Sequence, residues 1–245
     1  MTQWFDTHVH LERYSPDDQR RLVDEATAMD VGGMLAVSTS RGSSRRTVVL
    51  SESVLKAVGV HPTRATGAEP AELRELARQP GVVAVGETGF DDSGPGFAIQ
   101  LASFADQASI ACDLNLALIL HIEGPNAWLA LLDAESQLVG ARVIRHYFTG
   151  DEAQANWHAE RGHYLSFGRP LVREPRLQEL AATYPPDLLL IETDSYPLPG
   201  RATEPSSLPE VGEALAHALR WSLMACAAQL WLNSHRALGI GLPAN

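Results

Sequence analysis

The run Leu188-Leu189-Leu190-Ile191-Glu192-Thr193-Asp194 decides the fold. Its apolar residues are continuous instead of alternating, the pattern of a strand covered on both faces, as in parallel sheets flanked by helices. It then ends in titratable residues. The same form recurs along the chain. Short apolar runs predict strands at residues 4–8, 33–38, 57–60, 82–86, 117–121, 142–146, 164–166 and 188–192. Helical spacing between them predicts helices at residues 97–113, 127–136, 152–161 and 173–183, and Pro70 and Pro125 suit first helical turns. Residues 201–209, rich in Pro and Ser, suit a long loop after the eighth strand. Eight βα units in 245 residues predict the α/β class and one (β/α)8 TIM barrel, which needs roughly 250 residues. The whole chain, residues 1–245, is then a single domain. A doubly wound open sheet is the alternative, and the lack of a Gly-x-Gly-x-x-Gly after an early strand counts against it.

The bulk composition narrows the function classes. The formal net charge of -11 gives no global attraction for polyanions. A nucleic-acid substrate must then be held locally, by metal ions and a few arginines. Lys56 is the only lysine, and the other basic residues are arginine. Cys112 and Cys226, both in apolar, helical surroundings, read as buried thiols of a reducing cytoplasm and not as a disulfide framework. No apolar run reaches about 18 residues, and the polar start Met-Thr-Gln-Trp is no signal peptide. The expected location is the cytoplasm, without membrane contact.

The chemistry falls at strand ends. Asp6-Thr7-His8-Val9-His10 puts two imidazoles two residues apart, hence on one face of a strand, which suits metal ligation. Later strands end at His61, Glu87, His121, His146 and Asp194. In a parallel barrel those ends share the rim where catalytic residues gather. A lone strand-end histidine is most often structural; seven candidates on one rim are not. His8, His10, His121 and His146 with Glu87 and Asp194 suffice for two adjacent divalent metal ions (Zn, Mg or Mn) if a carboxylate bridges. Lys56 precedes the third strand, so it is no candidate for a carbamylated bridge, and Glu87 is the obvious one. Asp194 suits both a ligand and a general base.

These residues resemble the TatD family of metal-dependent hydrolases, a branch of the amidohydrolase-like barrels. The resemblance rests on Asp6-Thr-His-Val-His10, Gly59-Val-His-Pro62, Gly86-Glu-Thr-Gly-Phe-Asp91 and Leu118-Ile-Leu-His121. It continues through His146-Tyr-Phe-Thr-Gly150, Gly162-His-Tyr-Leu-Ser166, Leu190-Ile-Glu-Thr-Asp194 and Asn233, in family order. It implies a metallo-dependent hydrolase barrel with nuclease activity: a DNase with 3′–5′ exonuclease character, acting on single-stranded DNA 3′ ends. It further implies that His8, His10 and Asp194 hold one metal, that Glu87 bridges, and that His121 and His146 hold the second. His61 then contacts substrate phosphate.

Three departures bear on substrate. Glu123 stands where the family commonly has arginine near the substrate, and a carboxylate there repels a phosphate backbone. The stretch after Glu87 is shortened, and Arg201-Ala-Thr-Glu-Pro205 lacks the family's asparagine. Hydrolysis of an amide, ester or lactone therefore stays open, as does a nuclease subunit of a defence or repair assembly that depends on protein partners. His61, Arg201 and Glu123 are the substrate-facing candidates. Arg169 and Arg173 follow the seventh strand, where barrel loops bind phosphate, although solvated arginine is the default. Arg41, Arg45 and Arg46 form the one notable basic patch. Glu192 reads as an ion pair or a hydrogen-bond partner of a ligand. His158, His163, His217 and His235 read as structural. Trp128, Trp157, Trp221 and Trp231, at helical positions, read as packing and not as base-stacking platforms.

Overall fold

In the computed structural model, which describes residues 3–68, 70–197 and 203–241, strands and helices alternate along the chain. The order begins β1 (Trp4–Val9), α1 (Pro16–Ala28), β2 (Val31–Val37), α2 (Arg41–Thr47), β3 (Leu55–Val58), α3 (Pro70–Ala77) and β4 (Val82–Asp91). It continues α4 (Phe97–Asp113), β5 (Ala117–Glu123), α5 (Pro125–Asp133), β6 (Arg142–Arg145), α6 (Glu152–Glu160) and β7 (Tyr164–Phe167). It closes with α7 (Pro170–Arg173), α8 (Pro175–Thr183), β8 (Leu189–Ile191), α9 (Leu208–Leu219) and α10 (Leu223–Leu238). Contacts group these into two units. The central unit is Ala36–Arg145; the terminal unit joins Met1–Leu35 to His146–Asn245. Among the described residues no helix is long and apolar enough to cross a membrane.

In the central unit β3, β4, β5 and β6 pair in chain order, all parallel. Leu118, Ile119 and Leu120 are consecutive and fully buried, so β5 is covered on both faces. The sequence reading ends the fourth strand at Gly86; β4 instead runs on to Asp91. The register shifts between Val85 and Thr88, and Gly86 and Gly89 take φ of 142° and 137°. These are bulge conformations open to glycine, and they let the strand bend while it keeps pairing with β5. A Cβ at Gly89 would lie 2.1 Å from the His121 carbonyl oxygen, so no side chain fits there. Helix α4 fixes two strand ends at once. Gln100 accepts from the Asp91 N–H and donates to the Asp91 carbonyl, both at 2.9 Å. Gln107, two turns later on the same helix face, grips Val60 in the same way, at 2.9 and 3.0 Å. Lys56, expected before the third strand, lies within β3, buried, with its Nζ donating to the Ser51 and Val54 carbonyls.

In the terminal unit β7 pairs parallel with β8, Val9 bridges Ser195, and β2 neighbours β1. Helix α10 packs on β1 and β8. Its buried Asn233 donates to the Pro186 and Leu189 carbonyls, both at 2.8 Å, and so fixes the start of β8. Phe5, Trp231 and His235 form a ring cluster behind β1, with Phe5–Trp231 centroids 5.9 Å apart. His158 and His163 face each other through Nδ1 atoms 3.0 Å apart under Trp157, a buried structural pair.

Three further expectations are corrected. The helix expected at 173–183 is broken: Pro175 starts α8, and Glu174 before it is extended at φ -109°, ψ 102°, because a residue preceding proline is kept out of the helical region. Cys112 is exposed on α4, and only Cys226 is buried. Trp221 lies in the link between α9 and α10, not in a helix.

Candidate functional site

The terminal unit gathers His8 and His10, at the C-terminal end of β1, and His146, the residue after β6, around the carboxylates that follow β8. His8 is fully buried; its ring stacks on His146 at 4.1 Å and meets His10 edge-on at 4.9 Å. Asp194 Oδ1 lies 3.3 Å from His10 Nε2 and 3.9 Å from His8 Nε2. Burial pushes the Asp194 carboxyl up, but the hydrogen bond from His10 and the charges of His8, His10 and His146 outweigh it and hold it below its ordinary value. Glu192 Oε1 accepts the Tyr147 N–H at 2.8 Å and lies 3.2 Å from His146 Nδ1. A proton on Nδ1 makes that contact a hydrogen bond and leaves Nε2 a lone pair for a cation.

Hydroxyls stitch these strand ends together. Asp6, buried, accepts the Thr193 N–H at 3.0 Å, the His8 N–H at 3.2 Å and the Thr193 hydroxyl at 2.5 Å. Burial pushes its carboxyl up to about 8 despite those donors. Thr7 Oγ1 donates to the Ile191 carbonyl at 3.0 Å and lies 2.8 Å from the Ser166 hydroxyl. Asp6, Thr7 and Thr193 thus brace the backbone that carries His8 and Asp194.

The central unit builds its cluster on one bent strand. Glu87 Oε1 lies 2.8 Å from His121 Nδ1 and 3.5 Å from His61 Nε2. Asp91 Oδ2 lies 3.1 Å from His121 Nε2, so carboxylates bracket this imidazole on both sides. The His61 and His121 ring centroids are 4.3 Å apart. The hydrogen bond from His121, helped by Ser93 and opposed by burial, holds the Asp91 carboxyl well below the usual carboxylate range. Because β4 and β5 pair Gly89 with His121 and Asp91 with Glu123, the bulge sets which carboxylates reach the imidazole.

Each sequence candidate among the described residues has a place. His8, His10, His146 and Asp194 come together in the terminal unit; His61, Glu87 and His121 come together in the central unit. Glu123 is exposed at the end of β5 beside Asp91. Arg201 lies outside the described residues. The Arg41 and Arg45 patch is engaged by Glu72 of α3, with Arg45 Nε donating at 2.6 Å. Sequence reasoning missed Asp91, Gln100 and Gln107. The signals were a carboxylate four residues after Glu87 and two glutamines seven apart, hence on one face of a helix.

Both clusters suit a divalent cation. His8, His10 and Asp194 offer donor atoms within 4.8 Å of one another, as do His61, Asp91 and His121. Mixed imidazole and carboxylate donors suit Zn and, with more oxygen, Mn or Mg. Glu192 Oε2 is buried and meets no hydrogen-bond donor among the described residues. Such an oxygen is costly to bury unless a cation or proton sits beside it.

The comparisons agree with this chemistry. The family described as TatD related DNase matches residues 5–239. An uncharacterized metal-dependent hydrolase TatD from Mycobacterium tuberculosis is 34% identical, over 96% of this chain and 98% of that protein. A 3′-5′ ssDNA/RNA exonuclease TatD from Cronobacter sakazakii is 35% identical, over 81% of this chain and 83% of its own length. The solved structure of YJJV, a TatD homologue from Escherichia coli, matches with a TM-score of 0.87 at 23% identity, covering 98% of this chain and 99% of that one. That likeness shows the fold, a (β/α)8 barrel of parallel strands. The chain belongs to the TatD family of metal-dependent hydrolases.

Proposed function

We propose that this chain is a 3′–5′ exonuclease on single-stranded nucleic acid that works with two divalent ions. The observation that carries the hydrolytic reading is the His8–His10–Asp194 cluster, three convergent donors beside the buried Glu192 oxygen. The nucleic-acid substrate is supported by relatives named ssDNA/RNA exonucleases. His8, His10 and Asp194 hold one ion, Glu87 and His121 supply donors for another, and Glu192 turns His146 toward a cation. When bound, a divalent ion supplies Lewis acidity, polarising a phosphoryl oxygen and making water a stronger acid. Asp194, partly exposed and held anionic, accepts the proton as water adds to phosphorus, and the 3′ oxygen of the preceding nucleotide leaves. His61 and Arg201 are the candidates for binding the substrate phosphate.

Glu123 favours a second reading. An exposed carboxylate beside Asp91 adds negative charge next to the central cluster, which suits a neutral ester, lactone or amide better than a polyanion. One metal-supplemented screen separates the two, using 5′-labelled single-stranded DNA and RNA alongside small esters. Stepwise shortening from the 3′ end is the expected result, and ester turnover alone puts the second reading first. Asp194→Asn should lower hydrolysis about 10³-fold through loss of the general base. Glu87→Ala should lower both activity and metal content. Wild-type protein near zero metal under replete conditions overturns the two-ion reading.

A further inference from the structure

The terminal cluster is flanked by two half-buried tyrosines, one beside each of two candidate metal-binding histidines. Tyr147 directly follows His146, with ring centroids 6.4 Å apart. Tyr196 lies two residues after Asp194, its ring 6.1 Å from His10. Arg13, at the end of the short turn after His10, places its guanidinium carbon 5.9 Å from the centre of the Tyr196 ring. Tyr147 shares its neighbourhood with Asp194, Glu192 and Tyr196.

Tyr147 does not reach this place by default. Its backbone is left-handed at φ 45°, as is that of Asp194 at φ 52°. For residues with a side chain this region costs roughly 1–2 kcal/mol, and such outliers concentrate at functional sites. The Tyr147 N–H is held by Glu192 Oε1 at 2.8 Å, and the ring lies over Gly168, where a Cβ would come within 2.6 Å of it. Both tyrosines remain partly open beside the groups proposed to act on the phosphodiester.

The charge of the chain makes this meaningful. At a net charge of -11, and with Arg41 and Arg45 engaged by Glu72, backbone phosphates gain little from long-range attraction. Stacking needs no net charge, and every base offers a π-face to an aromatic ring or a guanidinium plane. We propose that Tyr147 and Tyr196, with Arg13 over the Tyr196 ring, form a platform that stacks the unpaired base next to the hydrolysed phosphodiester. The proposal rests on the nuclease reading above and names its substrate element: a base at the 3′ end, recognised by its face and not by its sequence.

The test compares two single-stranded oligonucleotides, identical except that one ends in a 3′ abasic residue, on the metal-loaded wild type and variants. The wild type should show a KM about tenfold lower for the intact end, with a shallow dependence on salt. Tyr196→Ala should bring that ratio close to one, and Tyr196→Phe should retain it, because the ring carries the stacking and the hydroxyl does not. Gly168→Ala, which displaces the Tyr147 ring, should reduce the ratio in between. Hydrolysis with no preference for the intact end, or a preference that survives Tyr196→Ala, overturns the platform and leaves the nuclease reading standing. No hydrolysis or binding of either oligonucleotide overturns both. Circular dichroism of each variant separates a lost fold from a lost platform.

Discussion

The two units solve the same problem, holding imidazoles ready for a cation, by different means. In the terminal unit His8 and His146 are almost wholly buried, and a web of Asp6, Thr7, Ser166 and Thr193 ties the strands beneath them. In the central unit the His61 and His121 side chains are each 16% exposed, and Glu87 and Asp91 from one strand surround His121. Rigidity comes from hydrogen bonds between strands in the first case. In the second it comes from a bulge that aims two carboxylates of β4, with glutamines of α4 fixing the ends of the local backbone. A buried, braced cluster tolerates little change, whereas a charge-rich, open one has carboxylate to spare.

Paired substitutions break or sharpen that contrast most directly. Glu192→Gln and Asp91→Asn each remove one carboxylate that orients a histidine, a change that typically costs 10–100-fold in metal affinity or activity. Glu192→Gln is expected at the upper end, because Glu192 is fully buried and holds both His146 and Tyr147. Asp91→Asn is expected at the lower end, because Glu87 still contacts His121. Metal titration by calorimetry and steady-state hydrolysis measure both; equal losses would erase the distinction between the units.

A smaller effect tests the bend in the central unit. A Cβ at Gly59 would lie 2.3 Å from the Gly86 backbone carbon, so Gly59→Ala must push β4 where it begins its bulge. Overpacking of this kind costs about 1–3 kcal/mol, which for a chain of this size lowers Tm by roughly 2–12 °C. Unchanged melting in differential scanning calorimetry would mean the bulge is less constrained than its contacts imply. The smallest effect involves no loss at all. Cys112 of the central unit is exposed, while burial pushes the Cys226 thiol of the terminal unit up to about 12. A thiol reagent at pH 8 should therefore label one equivalent in native protein and the second only on unfolding; two fast equivalents would show that the terminal unit opens readily.

Some of this was legible without coordinates. Apolar runs ending in histidine or carboxylate mark His8, His10, His121 and Asp194 as strand-end groups, because continuous burial and its abrupt end are local properties of the chain. Pro175 also marks a helix start, and its ring keeps Glu174 out of the helical region, so the break before α8 is a local property too. Asp91 was hidden for a different reason. Gly86 and Gly89 break the local strand pattern, and only pairing with β5 shows that the strand continues through them. Gln100 and Gln107 were hidden because a polar residue in a helix reads as solvated until its partner backbone, Asp91 or Val60, is found beside it.

By itself, then, the sequence determined most element types, the strand ends that carry the candidate ligating groups and the family to which the chain belongs. Burial periodicity and residue chemistry are written locally, residue by residue. Tertiary structure alone decided which carboxylate meets which imidazole: Glu192 with His146, and Asp91 and Glu87 with His121. It also decided that Arg41 and Arg45 face Glu72, and that Tyr147 and Tyr196 flank the terminal cluster. Those pairings depend on strand register, on a bulge and on two left-handed residues. A shift of one position in register would exchange every partner while leaving each local pattern intact.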